Sequence, residues 1–421
     1  MKNIAKLTLV LILSVLAAGC KSKPATVDTT GNIRDIFAGV ADVFMLMDDG
    51  TLWGAGYNRS GQLGLGQITP GEIILGDALG DPLIALINDD TGAPISGVRF
   101  VAAGENHTVI LKEDGSLWGA GDSTHGELGL DGEKLLFFTQ LKAENTPLSG
   151  VKTLAAGNNS TFYISGDGSL WTAGYNYYGE LGLGNRDTQA SFKKVESAGQ
   201  NVKTLAAGIR HTVLLKEDGT LWTAGYNFNG QLGLGVNTQG DTEDRNSFTQ
   251  VRDAGSGITA VAAGNYHTVI LKNDGSVWAA GSNFWGQIGF PDSSDRQTFT
   301  RVTDENGNTL SNVKEIAARG DITVLLKADG SLLLAGNYDE SDAENEPEED
   351  SSRANRKSTF VPLVAEQGTK LGTVKKIVLG TNSVYVVDSD NHLWAAGSNR
   401  YGQLHLGYDT EASAVLKLIN P

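Results

Sequence analysis

Three histidines, one cysteine and one run of acids are the residues of this chain best suited by type to chemistry. His107, His211 and His267 each end an Ala-Ala-Gly-x-x-His segment. Imidazoles hold a metal when several converge, but these stand far apart in sequence, and Ser160, Ile322 and Ser383 fill the same place in other copies of the segment. A hydrogen bond bracing the local turn is the expected role, and no metal is expected. His125, His392 and His405 are isolated. Residues 339–350 hold eight acids in twelve positions, without the spacing of a calcium loop. A solvated loop over 338–357 is expected, with calcium or a basic partner as the alternative. The Gly-Gln-Leu-Gly-Leu-Gly segments lack the Gly-Lys-Ser/Thr ending of a phosphate loop and open no helix, so their glycines serve tight turns. There is no Gly-x-Ser-x-Gly elbow and no His-Glu-x-x-His pair. Abundant acidic pairs leave a glycosidase-like carboxylate pair open. Nothing singles out a catalytic residue, so neither enzymatic activity nor a cofactor is expected.

Cys20 is the only cysteine. Lys2 and Lys6 precede an apolar run over 7–18, and small residues lead up to Cys20. That layout is a secretory signal, too short to span a bilayer comfortably. Leu16-Ala17-Ala18-Gly19-Cys20 resembles a bacterial lipobox, with Leu one place further upstream than usual. The expectation is a signal peptide over 1–19, a lipid on Cys20, a tether over 20–32 and an extracytoplasmic, membrane-anchored protein. Lys and Arg number 33 against 49 Asp and Glu, a net charge of −16. Removing Lys2 and Lys6 leaves 31 against 49, or −18. Such a surface repels phosphate backbones, so nucleic acid is not an expected partner.

The elements that position these residues repeat. Strong copies begin at Val98, Val151, Val202 and Ile258, and weaker ones at Ile33, Val313 and Val374. Within each copy an Ala-Ala-Gly segment leads to a second apolar run, then an Asp-Gly turn, then Leu-Trp-x-Ala-Gly. Asp-Gly between two such runs signals a hairpin with a primed turn. The marker Trp53, Trp118, Trp171, Trp222, Trp278, Leu333 and Trp394 is expected to pack between units. A fourth strand starts near Phe192, Phe248, Phe299 and Phe360. Four antiparallel strands per copy, seven times over, describe a seven-bladed β-propeller across 33–421, with a long loop over 67–97. The final segment, 415–419, is expected to pair within the first blade and lock the ring. The alternative is that it completes the seventh blade.

The run from Ala-Ala-Gly-x-x-His-Thr through Leu-Trp-x-Ala-Gly to Gly-Gln-Leu-Gly-Leu-Gly resembles the regulator-of-chromosome-condensation repeat, and the resemblance covers 33–419. The first copy departs at Val40-Ala41-Asp42, and the sixth has Leu333 and the acidic stretch. The founding member of that family promotes nucleotide exchange on a small nuclear GTPase and binds chromatin. Export and an acidic surface argue against both roles here. The leading expectation is a protein-binding scaffold. Alternatives are an inhibitor of an extracellular enzyme such as a β-lactamase, since a secreted propeller of this type is known to inhibit one, exchange on a host GTPase, and an envelope hydrolase or lyase. An unidentified protein partner is expected on the face that carries the turn after strand one and the loop after strand three. There the copies differ, and Tyr177, Tyr178, Phe228, Tyr266, Phe284, Trp285 and Tyr401 collect. Tyr178, Trp285 and Tyr401 precede the loop glycine and have packing of that loop as an alternative role.

Overall fold

A computed structural model describes residues 33–68, 85–143, 146–236, 242–304, 306–337, 356–399, 401, 403–404 and 412–419. Cys20, the proposed tether and the acidic run 339–350 lie outside the described residues. Seven four-stranded antiparallel sheets are formed, each from one contiguous stretch of chain. We call them blades 1 to 7: 33–86, 98–140, 151–194, 202–250, 258–301, 313–363 and 374–419. The chain is a seven-bladed propeller.

Blade 2 shows the local logic. Its strands are Val98–Ala103, His107–Lys112, Leu117–Asp122 and Lys134–Gln140. The hairpin at Asp114-Gly115 is real, but the loop has three residues, not two. Lys112 and Ser116 close it (Lys112 N to Ser116 O, 3.0 Å), and only Gly115 has positive φ, at 79°. A type I turn plus a bulge glycine gives this geometry. The Asp114 carboxylate accepts from Ser116 N at 2.9 Å, and Trp118 Nε1 donates to Ser116 Oγ at 3.0 Å. The turn therefore orients the tryptophan, which packs into an apolar cluster with Phe37, Phe44 and Leu52 of blade 1. Trp171, Trp222 and Trp278 likewise join clusters shared with the preceding blade.

The loops after strand three of blades 1, 3 and 4 cross to the next blade, the first through Gly66 N to Leu136 O at 2.8 Å. Gly184 N donates to Asn246 O at 2.7 Å, and Gly235 N to Gln297 O at 2.9 Å. The loop glycines are required there. Gly182 has φ 70°, and a Cβ on it would lie 2.4 Å from the Phe248 ring.

Three expectations change. The last strand, Ala412–Ile419, pairs with Leu393–Ser398 of its own blade, so blades 1 and 7 share no strand. The ring closes through side chains, with Ile36, Met45 and Met47 packed on Tyr385, Leu393 and Ile419, and through Thr381 N to Val40 O at 3.2 Å. Apolar burial, that backbone bond and an ion pair between Lys376 and Asp35 do the work expected of strand exchange. The long loop over 67–97 contains the fourth strand of blade 1, Ala85–Leu86. The histidines brace the next blade and not their own turn: His107, His211 and His267 reach Thr161, Thr268 and Thr323 from Nε2 at 3.0, 3.0 and 2.9 Å.

Candidate functional site

The loop after strand three is held by side-chain hydrogen bonds in blades 3 to 5, and these decide what reaches solvent. In blade 4, buried Asn227 accepts from Leu232 N through Oδ1 at 3.0 Å. Asn229 N donates to the Gln231 side chain at 3.1 Å. Phe228 sits between these two clamps with its ring left outside. Blade 3 repeats the arrangement with Asn176 to Leu181 N and Tyr178 N to Glu180, and blade 5 with Asn283 to Ile288 N and Trp285 N to Gln287. The side chains at the loop tips are accordingly exposed: Tyr177 at 60%, Phe228 at 73% and Phe284 at 61%.

The other aromatics of this face are half-buried. Tyr178 packs on Tyr226 with ring centroids 4.9 Å apart, and Arg210 lies 4.8 Å above the Tyr178 ring and donates to its hydroxyl at 3.3 Å. Tyr266 meets Tyr226 at 6.0 Å, Trp285 meets Phe284 at 4.8 Å, and Tyr401 meets Tyr57 at 5.3 Å. Ring contacts run without a break from His125 through Tyr175, Tyr177, Tyr178 and Tyr226 to Phe228, across blades 2 to 4. Phe284 and Trp285 form a separate pair in blade 5.

Tyr175, Tyr226, Arg210 and His125 were not among the expected residues. The signal was in the repeat: Tyr175 and Tyr226 precede the clamping Asn, and Arg210 occupies the turn position of Tyr266. Carboxylates brace the same loops. Asp244 accepts from Asn227 N at 2.9 Å and pairs with Arg186 at 3.4 Å, while Asp295 accepts from Asn283 N at 3.0 Å and from Asn229 Nδ2 at 2.8 Å. Burial pushes the Glu180 carboxyl up to about 7, with Arg210 opposing the shift.

The buried histidines do not converge, since each is spent on the neighbouring blade. Asp388, Asp390 and His392 do lie together in blade 7. Asp388 already accepts from Asp390 N and His392 N at 3.0 Å and from Trp394 Nε1 at 2.9 Å, which makes the group a turn brace.

The sequence pattern described as the regulator of chromosome condensation (RCC1) repeat matches residues 98–127, 202–231 and 258–287, and a second pattern of that description matches 167–215 and 218–271. This chain carries RCC1 repeats. Similar curated proteins include the ultraviolet-B receptor of Arabidopsis thaliana, 31% identical over 63% of this chain and 56% of the receptor. The probable E3 ubiquitin-protein ligase HERC6 of Homo sapiens is 28% identical over 60% of this chain and 24% of that protein. The chain thus spans little more than half, or less, of the curated relatives it matches. Among solved structures, yeast RCC1 (Prp20) bound to Kap60 superposes with a TM-score of 0.68 at 20% identity, covering 93% of this chain and 84% of that one. Human WBSCR16 gives 0.67 at 18% identity, covering 88% and 93%. Those likenesses show that the RCC1 repeats here build the RCC1 type of propeller.

Proposed function

We propose that this protein is a membrane-anchored, extracytoplasmic scaffold that binds a protein partner through the loop face of blades 3 to 5, acting by binding and not by catalysis. The observation that carries the reading is the set Tyr177, Phe228 and Phe284. Equivalent loop tips in three adjoining blades expose large aromatic rings on backbone that is already fixed. Rigid aromatics lose little conformational entropy on binding and are the residue types that anchor protein interfaces. Among solved relatives, a structure of Prp20p from Saccharomyces cerevisiae is described together with its binding to Gsp1p and histones. The acidic balance of this chain favours neither a nucleic acid nor a nucleosome surface.

The lipid on Cys20 is part of the proposal and fits the chain path. Strand one of blade 1 runs from Ile33 toward the Gly-x-x turn, so Ile33 emerges at the Asp-Gly end. A photo-crosslinking residue at position 228, compared with one at Glu217 on the opposite end, tests the face in living cells. A discrete adduct from 228 alone, lost when Tyr177 and Phe284 become Ala at unchanged melting temperature, is expected. Equal adducts from both ends sink the reading. Cys20→Ser should abolish acylation and membrane retention.

A further inference from the structure

The seven first strands surround a cavity of about 460 Å3 on the ring axis. That volume falls within the range of small-molecule pockets. Its wall is layered. A middle belt consists mainly of alanines, with Ala102, Ala155, Ala206, Ala262 and Ala317 from five successive blades. Toward the Asp-Gly end the lining is Phe100, Thr153, Thr204 and Lys376, and Lys376 is ion-paired with Asp35 and lies 4.6 Å over the Phe37 ring.

The loop end is different. Arg319 of blade 6 donates from Nη2 to the Ala103 carbonyl of blade 2 at 2.8 Å. Blades 6 and 2 are not neighbours, so this side chain reaches across the channel at its loop end. The repeat has glycine at this place: Gly104, Gly208 and Gly264 in blades 2, 4 and 5, each within about 2.4 Å of a histidine ring if given a Cβ. Blade 6 has Ile322 instead of that histidine, which leaves room for a side chain. Blade 1 has Asp42 in the histidine place, and its carboxylate is the charge that acts on the guanidinium. Asp42 is buried with Oδ1 unbonded, and burial raises it to about 7. The half-buried Arg319 guanidinium thus has no carboxylate hydrogen-bonded to it among the described residues, and a partly desolvated cation favours an anion.

We propose that the channel is a pocket for a linear carboxylate, with its head on the Arg319 guanidinium and its chain along the alanine belt toward Phe37 and Phe100. The distance from the Arg319 tier to the Phe100 tier is four strand residues, roughly 13 Å, which sets a medium-length chain. This site is independent of the aromatic face.

Calorimetric titration of the full chain with octanoate, octan-1-ol and acetate tests it. Octanoate should bind one to one, with the alcohol (no charge) and acetate (no chain) at least roughly tenfold weaker. Arg319→Met should weaken octanoate by about tenfold or more while leaving octan-1-ol unchanged. Ala206→Leu, which fills the belt without touching Arg319, should abolish octanoate binding at an unchanged circular dichroism spectrum. Absence of octanoate binding to the wild type at millimolar concentration overturns the proposal, as does wild-type affinity in either folded variant.

Discussion

His211 Nε2 lies 3.0 Å from the Thr268 hydroxyl of the next blade, and that hydroxyl donates to the Gln231 carbonyl at 2.7 Å. The hydroxyl has one hydrogen and gives it to the carbonyl, so the imidazole must be the donor, neutral and protonated on Nε2. One side chain thereby ties two blades and the loop that bridges them. His267, Thr323 and Gln287 repeat the relay one blade further on.

These locks make the ring acid-sensitive. Burial holds His107 and His211 down to about 4 and His267 to about 3. A folded-state pKa below the unfolded value of about 6.5 means that the neutral ring is favoured in the fold. The stability is fully present above pH 6.5 and is lost as pH falls toward 4. In urea unfolding each histidine should remove on the order of 2 kcal/mol between pH 7.5 and pH 5, opposed over the same interval by Asp42 and Glu180, whose raised carboxyls gain stability as pH falls, so the histidine share is read from the variant and not from the wild type alone. His211→Gln should unfold more easily at pH 7.5 and show a shallower pH dependence. An unchanged pH slope would exclude the relay as its source.

Asp42 works in the opposite sense. Its folded pKa of about 7 lies above the ordinary carboxylate value of 3.8, with burial the main cause and Arg319 opposing it. The protonated form is favoured in the fold, so stability is present at low pH and is lost as pH rises through about 7. Asp42→Asn should stabilise the protein at pH 8, by about 4 kcal/mol at most, and leave it unchanged near pH 4. Thermal melts at both values check this, and a variant less stable at pH 8 contradicts it.

Two glycines with similar backbone separate strain from crowding. Gly182 and Gly219 have φ of 70° and 81°, but only Gly182 faces an atom, the Phe248 ring of the next blade. Gly219→Ala should cost about 1 kcal/mol for its left-handed backbone. Gly182→Ala should cost a further 1–3 kcal/mol, roughly, for overpacking the blade junction. Equal losses in denaturant titration would remove the junction from the account.

Deleting 412–421 should prevent folding of the ring. The strand Ala412–Ile419 covers the edge of Leu393–Ser398, buries Leu416 against blade 6 and places Ile419 in the seam with blade 1. A cooperative melt of the truncated chain near the wild-type temperature would refute this.

Blade number, strand count and the packing role of the tryptophans were legible because the Asp-Gly turns and the marker Trp are local signals, each present in six of the seven copies. The exposed tips at Tyr177, Phe228 and Phe284 were also reachable, since comparing copies shows where a repeat varies. What sequence could not give was any partner in another blade. His211 to Thr268, Gly182 to Phe248 and Arg319 to Ala103 depend on ring geometry that no single repeat contains. Strand exchange was favoured because a final strand matching the fourth-strand pattern suits either its own blade or the first one equally well. Ala85–Leu86 was missed because a two-residue strand has no periodicity to detect.

Because each sheet is drawn from one uninterrupted stretch of chain, the boundaries of the structural module fall between a fourth strand and the next first strand. A copy gained or lost by recombination at 141–150 or 195–201 would add or remove a whole blade without orphaning a strand. The histidine bond to the following blade recurs at three junctions and would travel with the copies that carry it.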